Sequence, residues 1–175
     1  KGFIYGTNPT PTKANGGTLK QKTGSTVAPF TSTVTGLAPN TTYYVRTYAT
    51  KTGPADTVYS SNILSFTTPM AVAPQMTSPT ASDITLFTAT LNATITEKGD
   101  ATQFTSKGFV YSTTPNPDCN TGTKLTVSGT VNASSIPFPM TKEVTGLTSG
   151  VTYYVRAFAI IKYGSAVTDT IYTDE

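Results

Sequence analysis

Two short runs place an arginine between aromatic residues at alternate positions: Tyr44, Arg46, Tyr48 and Tyr154, Arg156, Phe158. In a strand such residues share one face, because successive side chains point to opposite sides. A guanidinium between rings stacks on them. Each strip is therefore a candidate surface for a glycan or a partner protein. The strips lie in mid-sheet rather than at a loop end, which favours packing within their own sheet, with Phe3 and Tyr5 or with Phe109 and Tyr111.

The inventory argues against catalysis. The chain has no histidine, and its nine carboxylates are scattered with no pair at an acid/base spacing. It has neither a serine nucleophile elbow nor a phosphate-cradling glycine loop. Cys119 is the one cysteine, so it has no disulfide partner and no histidine to activate it. Asp118 between Asn116 and Asn120 suggests a calcium loop only loosely, since the glycine and distal glutamate of such a loop are missing. A plain turn is the expected reading, and neither metal nor cofactor is expected. The formal charge is +3 with no basic run, so no nucleic-acid partner is expected. Lys13, Lys20 and Lys22 read as a solvated loop. No apolar run approaches the ~18 residues of a membrane span, so no membrane insertion is expected.

The elements that position these residues come in two copies. Lys1-Gly2-Phe3-Ile4-Tyr5-Gly6-Thr7-Asn8-Pro9 recurs 106 residues later as Lys107-Gly108-Phe109-Val110-Tyr111-Ser112-Thr113-Thr114-Pro115. The run from Val34-Thr35-Gly36-Leu37 to Thr42-Tyr43-Tyr44-Val45-Arg46 recurs 110 residues later, from Val144-Thr145-Gly146-Leu147 to Thr152-Tyr153-Tyr154-Val155-Arg156. Asp56-Thr57-Val58-Tyr59 recurs 113 residues later as Asp169-Thr170-Ile171-Tyr172. Rising offsets are what loop insertions in a tandem repeat produce.

Each copy reads in one order. A Gly-Phe-x-Tyr strand is followed by a Pro/Asn/Thr loop over 7–17 or 113–122. Weaker strands come next, over 26–30 and 32–34 in one copy and 124–127 and 138–144 in the other. The corner strand follows, then a turn at Gly53-Pro54 or Tyr163-Gly164. A further strand starts near Asp56 and Asp169. In the first copy another strand, 61–68, carries one apolar face; in the second the chain reaches Glu175 where it should begin. Two strands occur once, 75–78 and 84–95. In the latter Ala89, Leu91, Ala93 and Ile95 alternate with Thr88, Thr90, Asn92 and Thr94, which fits a sheet with one buried face.

Charged residues make up only 12% of the chain, against about 25% in a typical protein, and threonine roughly a fifth. Threonine suits a pleated, half-wet surface. The expected fold class is all-β: two tandem antiparallel β-sandwiches, 1–69 and 75–175, joined by a linker at 70–74 that Pro69 and Pro74 restrict.

The run Gly-Leu-x-x-x-x-x-Tyr-Tyr-Val-Arg-x-x-Ala resembles the corner and following strand of fibronectin type III domains. With Gly-Phe-x-Tyr on the earlier strand it is most similar to repeats in Bacteroidetes surface and secreted proteins. The resemblance implies immunoglobulin-like sandwiches in which Tyr43 and Tyr153 bond the backbone upstream, near Leu37 and Leu147. It points Val45, Ala49, Val155, Ala157 and Ala159 into the core and makes Thr47 a polar departure needing a partner. Leu91 takes the slot where the family carries tryptophan. The first copy would hold strands C to G only, and the second A to F, lacking its last. Missing strands imply a window on a longer array, or strands supplied by neighbouring repeats or subunits. Asp-Thr-aliphatic at Thr57 and Thr170 resembles the O-glycosylation signal of the same bacteria. The resemblance implies an extracellular or cell-surface, non-catalytic stalk or fibre module, with strand donation between subunits as a specific form. The alternative is a carbohydrate- or protein-binding accessory module of a secreted enzyme, which calls for loop aromatics such as Tyr163, Phe30 or Phe138.

Overall fold

A computed structural model of the chain describes residues 1–24, 28–51, 56–164 and 167–175. Within them the protein is all-β and its ladders are antiparallel. The chain divides into two compact units, Lys1–Met70 and Ala71–Glu175.

The first unit is one sheet. Its strands are β1 (Gly2–Gly6), β2 (Thr18–Gln21), β3 (Thr42–Thr50), β4 (Thr57–Tyr59) and β5 (Leu64–Thr67). The order is β2-β1-β3-β4, and β5 pairs with β3 beside β4. Residues opposite each other in a ladder share a face. Ile4 lies opposite Arg46, and Gly2 opposite Tyr48. Phe3 lies opposite Thr47, and Tyr5 opposite Val45, on the other face. Ile4 and Tyr48 are buried, whereas Val58 is 62% and Leu64 66% exposed. Ala49 and Thr47 are also exposed, which corrects their expected core positions. The face they occupy is open, so the Thr47 hydroxyl meets solvent.

The second unit has two sheets. One is built from β6 (Gln75–Met76), β7 (Thr80–Ser82), β8 (Thr88–Glu97) and β11 (Phe138–Thr145). The other is β9 (Gln103–Ser112), β10 (Thr123–Thr126), β12 (Tyr154–Tyr163) and β13 (Val167–Tyr172), in the order β10-β9-β12-β13. Leu91, Ala93, Ile95 and Met140 of the first pack with Phe109 and Ala157 of the second. Each large side chain so buried contributes about 1.5–3 kcal/mol. Along β8 buried and half-buried residues alternate, as the threonine/aliphatic pattern requires.

Glycine in the Gly-Phe-x-Tyr strand has a steric cause. A Cβ on Gly2 would sit 2.2 Å from the Lys20 carbonyl oxygen, and one on Gly108 2.0 Å from that of Leu125. Only glycine lets the neighbouring strand come so close.

Several expected elements differ. Residues 84–87 are not strand; Ile84, Leu86 and Phe87 are exposed, and the ladder begins at Thr88. Residues 32–34 are not strand either, while β2 forms in the loop region before them. The expected strand 26–30 falls partly, and the Gly53-Pro54 turn wholly, outside the described residues. The expected strand 61–68 is shorter, β5 covering Leu64–Thr67, and it continues the β3 edge that β4 begins. In the second unit β13, the strand expected near Asp169, pairs with β12 over Phe158–Tyr163 as β4 pairs with β3.

Lys107 lies two residues before Phe109 on the inward face and is only 5% exposed. Its ammonium donates to the Gly129 carbonyl and lies 4.8 Å from the Phe138 ring centroid. Burial pushes its pKa below the ordinary 10.5. The unfolded chain then binds more protons than the folded one in the window below 10.5, so stability rises with pH there. The cost of burying the charge is present below the lowered folded value and disappears as pH climbs to the unfolded one. Urea unfolding of the wild type and of Lys107→Met should show the wild type gaining relative stability between about pH 7 and about pH 10.5. A wild type whose stability relative to the variant stays flat or falls over that window contradicts a buried charge.

Candidate functional site

The two aromatic–arginine strips sit at equivalent places on β3 and β12. Arg46 lies opposite Ile4 and Arg156 opposite Val110. The strips thus share a face with Ile4 and Val110. They do not pack with Phe3 and Tyr5 or with Phe109 and Tyr111, which the ladder register turns to the other side.

A loop covers each strip. In the first unit it runs from β1 to β2 and buries Pro11 completely. The Arg46 Nε–H donates to the Pro11 carbonyl at 2.9 Å, and the guanidinium carbon lies 4.5 Å from the Tyr59 ring centroid. The Tyr59 hydroxyl in turn accepts the Lys13 N–H at 3.0 Å. The second unit repeats the device from β9 to β10. Pro117 is fully buried, Arg156 lies 4.8 Å from the Tyr172 ring centroid, and the Tyr172 hydroxyl accepts the Cys119 N–H at 2.9 Å. One bond differs: Arg156 Nε–H donates to the Thr173 carbonyl, at 2.7 Å. Glycine lets the loop close in both: a Cβ on Gly17 would meet Ile4 at 2.8 Å, and one on Gly122 would meet Val110 at 2.5 Å.

The covered strip is a clamp. Tyr48 and Phe158 are buried, and Tyr44, Arg46, Tyr154 and Arg156 are half-buried. Both guanidiniums are engaged with a backbone carbonyl and a ring, which leaves little of either to meet a ligand.

Inside the second loop, Asp118 accepts the N–H of Asn120 at 2.7 Å and of Thr121 at 2.8 Å. These amide bonds are the main reason its carboxyl titrates below the usual range, with the Thr121 hydroxyl adding to them. A carboxylate ringed by N–H donors caps a turn. Asn116 donates its N–H to Glu175 and has a left-handed backbone, φ 56°. Among the described residues no three or more His, Cys, Asp or Glu side chains gather at metal-binding distance. Cys119 is a half-buried free thiol in this loop.

The corner tyrosines sit on the opposite face. The Tyr43 hydroxyl accepts the Ala38 N–H at 3.0 Å, and that of Tyr153 accepts the Thr148 N–H at 3.1 Å. Both donors lie five residues upstream, one past Leu37 and Leu147. Each ring also meets the tyrosine of the Gly-Phe-x-Tyr strand, Tyr5 at 6.3 Å and Tyr111 at 6.0 Å between centroids.

Thr57 and Thr170 lie half-buried on the edge strands β4 and β13, each beside an exposed aspartate. Of the three aromatics expected on loops, Tyr163 ends β12 and Phe138 opens β11, and all three are engaged. Tyr163 is 8% exposed, Phe30 packs on Phe3 at 4.9 Å, and Phe138 lies beneath Lys107. An apolar cavity of about 290 Å³ opens at the corner end of the second unit, lined by Leu86, Leu91, Val144 and Tyr153 among others. Comparison of the chain with family models, curated proteins and solved structures finds no match.

Sequence reasoning missed the capping role of the loops and the exposed Phe87. The signal for the first was present in the paired prolines Pro11 and Pro117, which keep the repeat's 106-residue offset.

Replacing Tyr153 by Phe removes one hydroxyl and leaves the ring in place. The variant should lose about 0.5–1.5 kcal/mol, the usual net worth of one hydrogen bond. Chemical denaturation followed by tyrosine fluorescence measures it. An unchanged midpoint would mean that the hydroxyl does not hold the corner.

Proposed function

We propose that the chain is a non-catalytic structural module, built from tandem fibronectin type III-like units, in a stalk or fibre of a bacterial surface or secreted protein. The observation that carries this reading is the repeated clamp. In both units the arginine, the corner tyrosine and the edge tyrosine hold backbone groups of their own unit. The polar side chains that most resemble ligand-binding groups are thereby engaged in the fold. Low charge and threonine-rich faces suit an exposed shaft, and the repeat supplies length. Glycan on Thr57 and Thr170 belongs to the same reading, since both lie at sheet edges.

The partners so proposed are neighbouring repeats or subunits. The accessory-module alternative has weaker support, because Tyr163 and Phe138 lie in strands and they and Phe30 are engaged in packing.

Protease shaving of intact natively expressing cells should release peptides of this chain, and the purified chain should be silent on a glycan array. Array binding that disappears in a Tyr44→Ala, Tyr154→Ala variant would favour the accessory-module reading. Peptides that appear only after lysis would overturn surface exposure.

A further inference from the structure

We propose that the two units are joined through a single free residue, Met70, because the segment 71–74 is a strap latched to the second unit by Asp100. The inference does not depend on the stalk reading. It follows from how the chain on each side of Met70 is held within its own unit.

On the side of the first unit the chain is fixed as far as Pro69. β5 ends at Thr67, opposite Thr42. Beyond it the corner 38–41 takes over. The Thr68 N–H donates to the Thr41 carbonyl at 3.0 Å. The Thr68 hydroxyl donates to the Ala38 carbonyl at 2.6 Å and accepts the Thr41 N–H at 3.0 Å. The Pro69 carbonyl accepts the Asn40 N–H at 2.8 Å.

On the side of the second unit the chain is fixed from Ala71 onward. Ala71 packs against the cluster of Ala101, Ala159, Ile161 and Tyr163. The Val72 N–H donates to Asp100 Oδ2 at 2.8 Å, and the Val72 carbonyl accepts the Asp100 N–H at 2.9 Å. This reciprocal pair ties the strap to the turn that follows β8. A hydrogen bond to a carboxylate is stronger than a neutral one. Gly99 lets the turn press on the strap. Its φ is 57°, and a Cβ there would lie 2.3 Å from the Val72 carbonyl oxygen. Pro74 is buried, and Gln75 opens β6.

Met70 is left between the two held ends, and it is 75% exposed. The prolines at 69 and 74 mark out a linker of five residues in the sequence, yet backbone bonds and packing reduce its free length to one. Exposed, irregular chain is where proteases cut, but only when the backbone is free to be drawn out. Here the latch withholds it.

The test uses the intact chain, as wild type and as Asp100→Ala. Backbone amide relaxation should give Ala71, Val72 and Ala73 order parameters of about 0.85 in the wild type, the level of rigid backbone. In Asp100→Ala they should fall below about 0.6 while those of β8 and β12 stay high. Limited thermolysin digestion, read by mass spectrometry, should cut the variant before Met70, Ala71 or Val72 about tenfold faster than the wild type. Gly99→Ala forces the turn off the strap without touching the carboxylate, and should release it in the same way. Wild-type order parameters below about 0.6 over 71–73 would overturn the proposal, because the segment would then be a free tether. An Asp100→Ala chain whose strap stays ordered and uncut would overturn it too, because Asp100 would then not be the latch. A variant that loses the order of β8 and β12 has unfolded, and the wild-type values then decide.

Discussion

Every sheet has two faces, and each must be covered or left in water at a cost of about 25 cal/mol per Å² of apolar surface. The two faces here are covered by different means. One is closed locally, by a loop of about ten residues that lays a proline over an aliphatic residue of the next strand and is tied down through arginine and tyrosine. The other depends on a second sheet. The local solution is present in both units, because all its parts lie between the Gly-Phe-x-Tyr strand and the edge tyrosine. The second-sheet solution is present only where β8 and β11 are. The exposed Val58, Leu64 and Ala49 of the first unit, against the buried Ala157 and Ala159 of the second, follow from this one difference.

The same constraint explains the polar residues. A guanidinium lying on a sheet face is tolerated when its donors and its flat surface are both engaged. Arg46 and Arg156 meet this with a carbonyl and a ring each. The tyrosine hydroxyls meet it with backbone amides, and Asp118 by ending a turn. Lys107 is the least comfortable of the set, an ammonium on the inward face with one carbonyl and one ring for company.

Much of this was legible in the residues. Period-two alternation gave β8, because one face is buried and one wet. The repeat gave the equivalence of the corners, and the resemblance to fibronectin type III corners implied the Tyr43 and Tyr153 hydroxyl bonds to within one residue of where they fall. The failures have a shared physical cause. Side-chain pattern says which residues belong on one face, but a strand also needs a hydrogen-bonding neighbour. Residues 32–34 have the pattern and no ladder, so they are not strand. Residues 84–87 are mostly apolar, but Ile84 and Leu86 are out of phase with Ala89 and Leu91, and the ladder starts only at Thr88. The resemblance points Thr47 and Ala49 into a core, although whether a core exists there depends on residues far away. The strip was placed beside the wrong aromatics because alternation fixes who shares a face within a strand. Only the register fixes who shares it across strands.

The clamp gives each unit a finished outer face, and the inner face is covered by a second sheet in the second unit. The central claim is that corresponding segments of the repeat, 28–35 and 138–145, are coil or strand according to whether a β8 strand lies beside them. Native-state hydrogen exchange of the chain alone tests this most directly. The account predicts strong protection of the bonded amides in β11 and weak protection of their counterparts at 31–35. Equal and strong protection of both segments would contradict it.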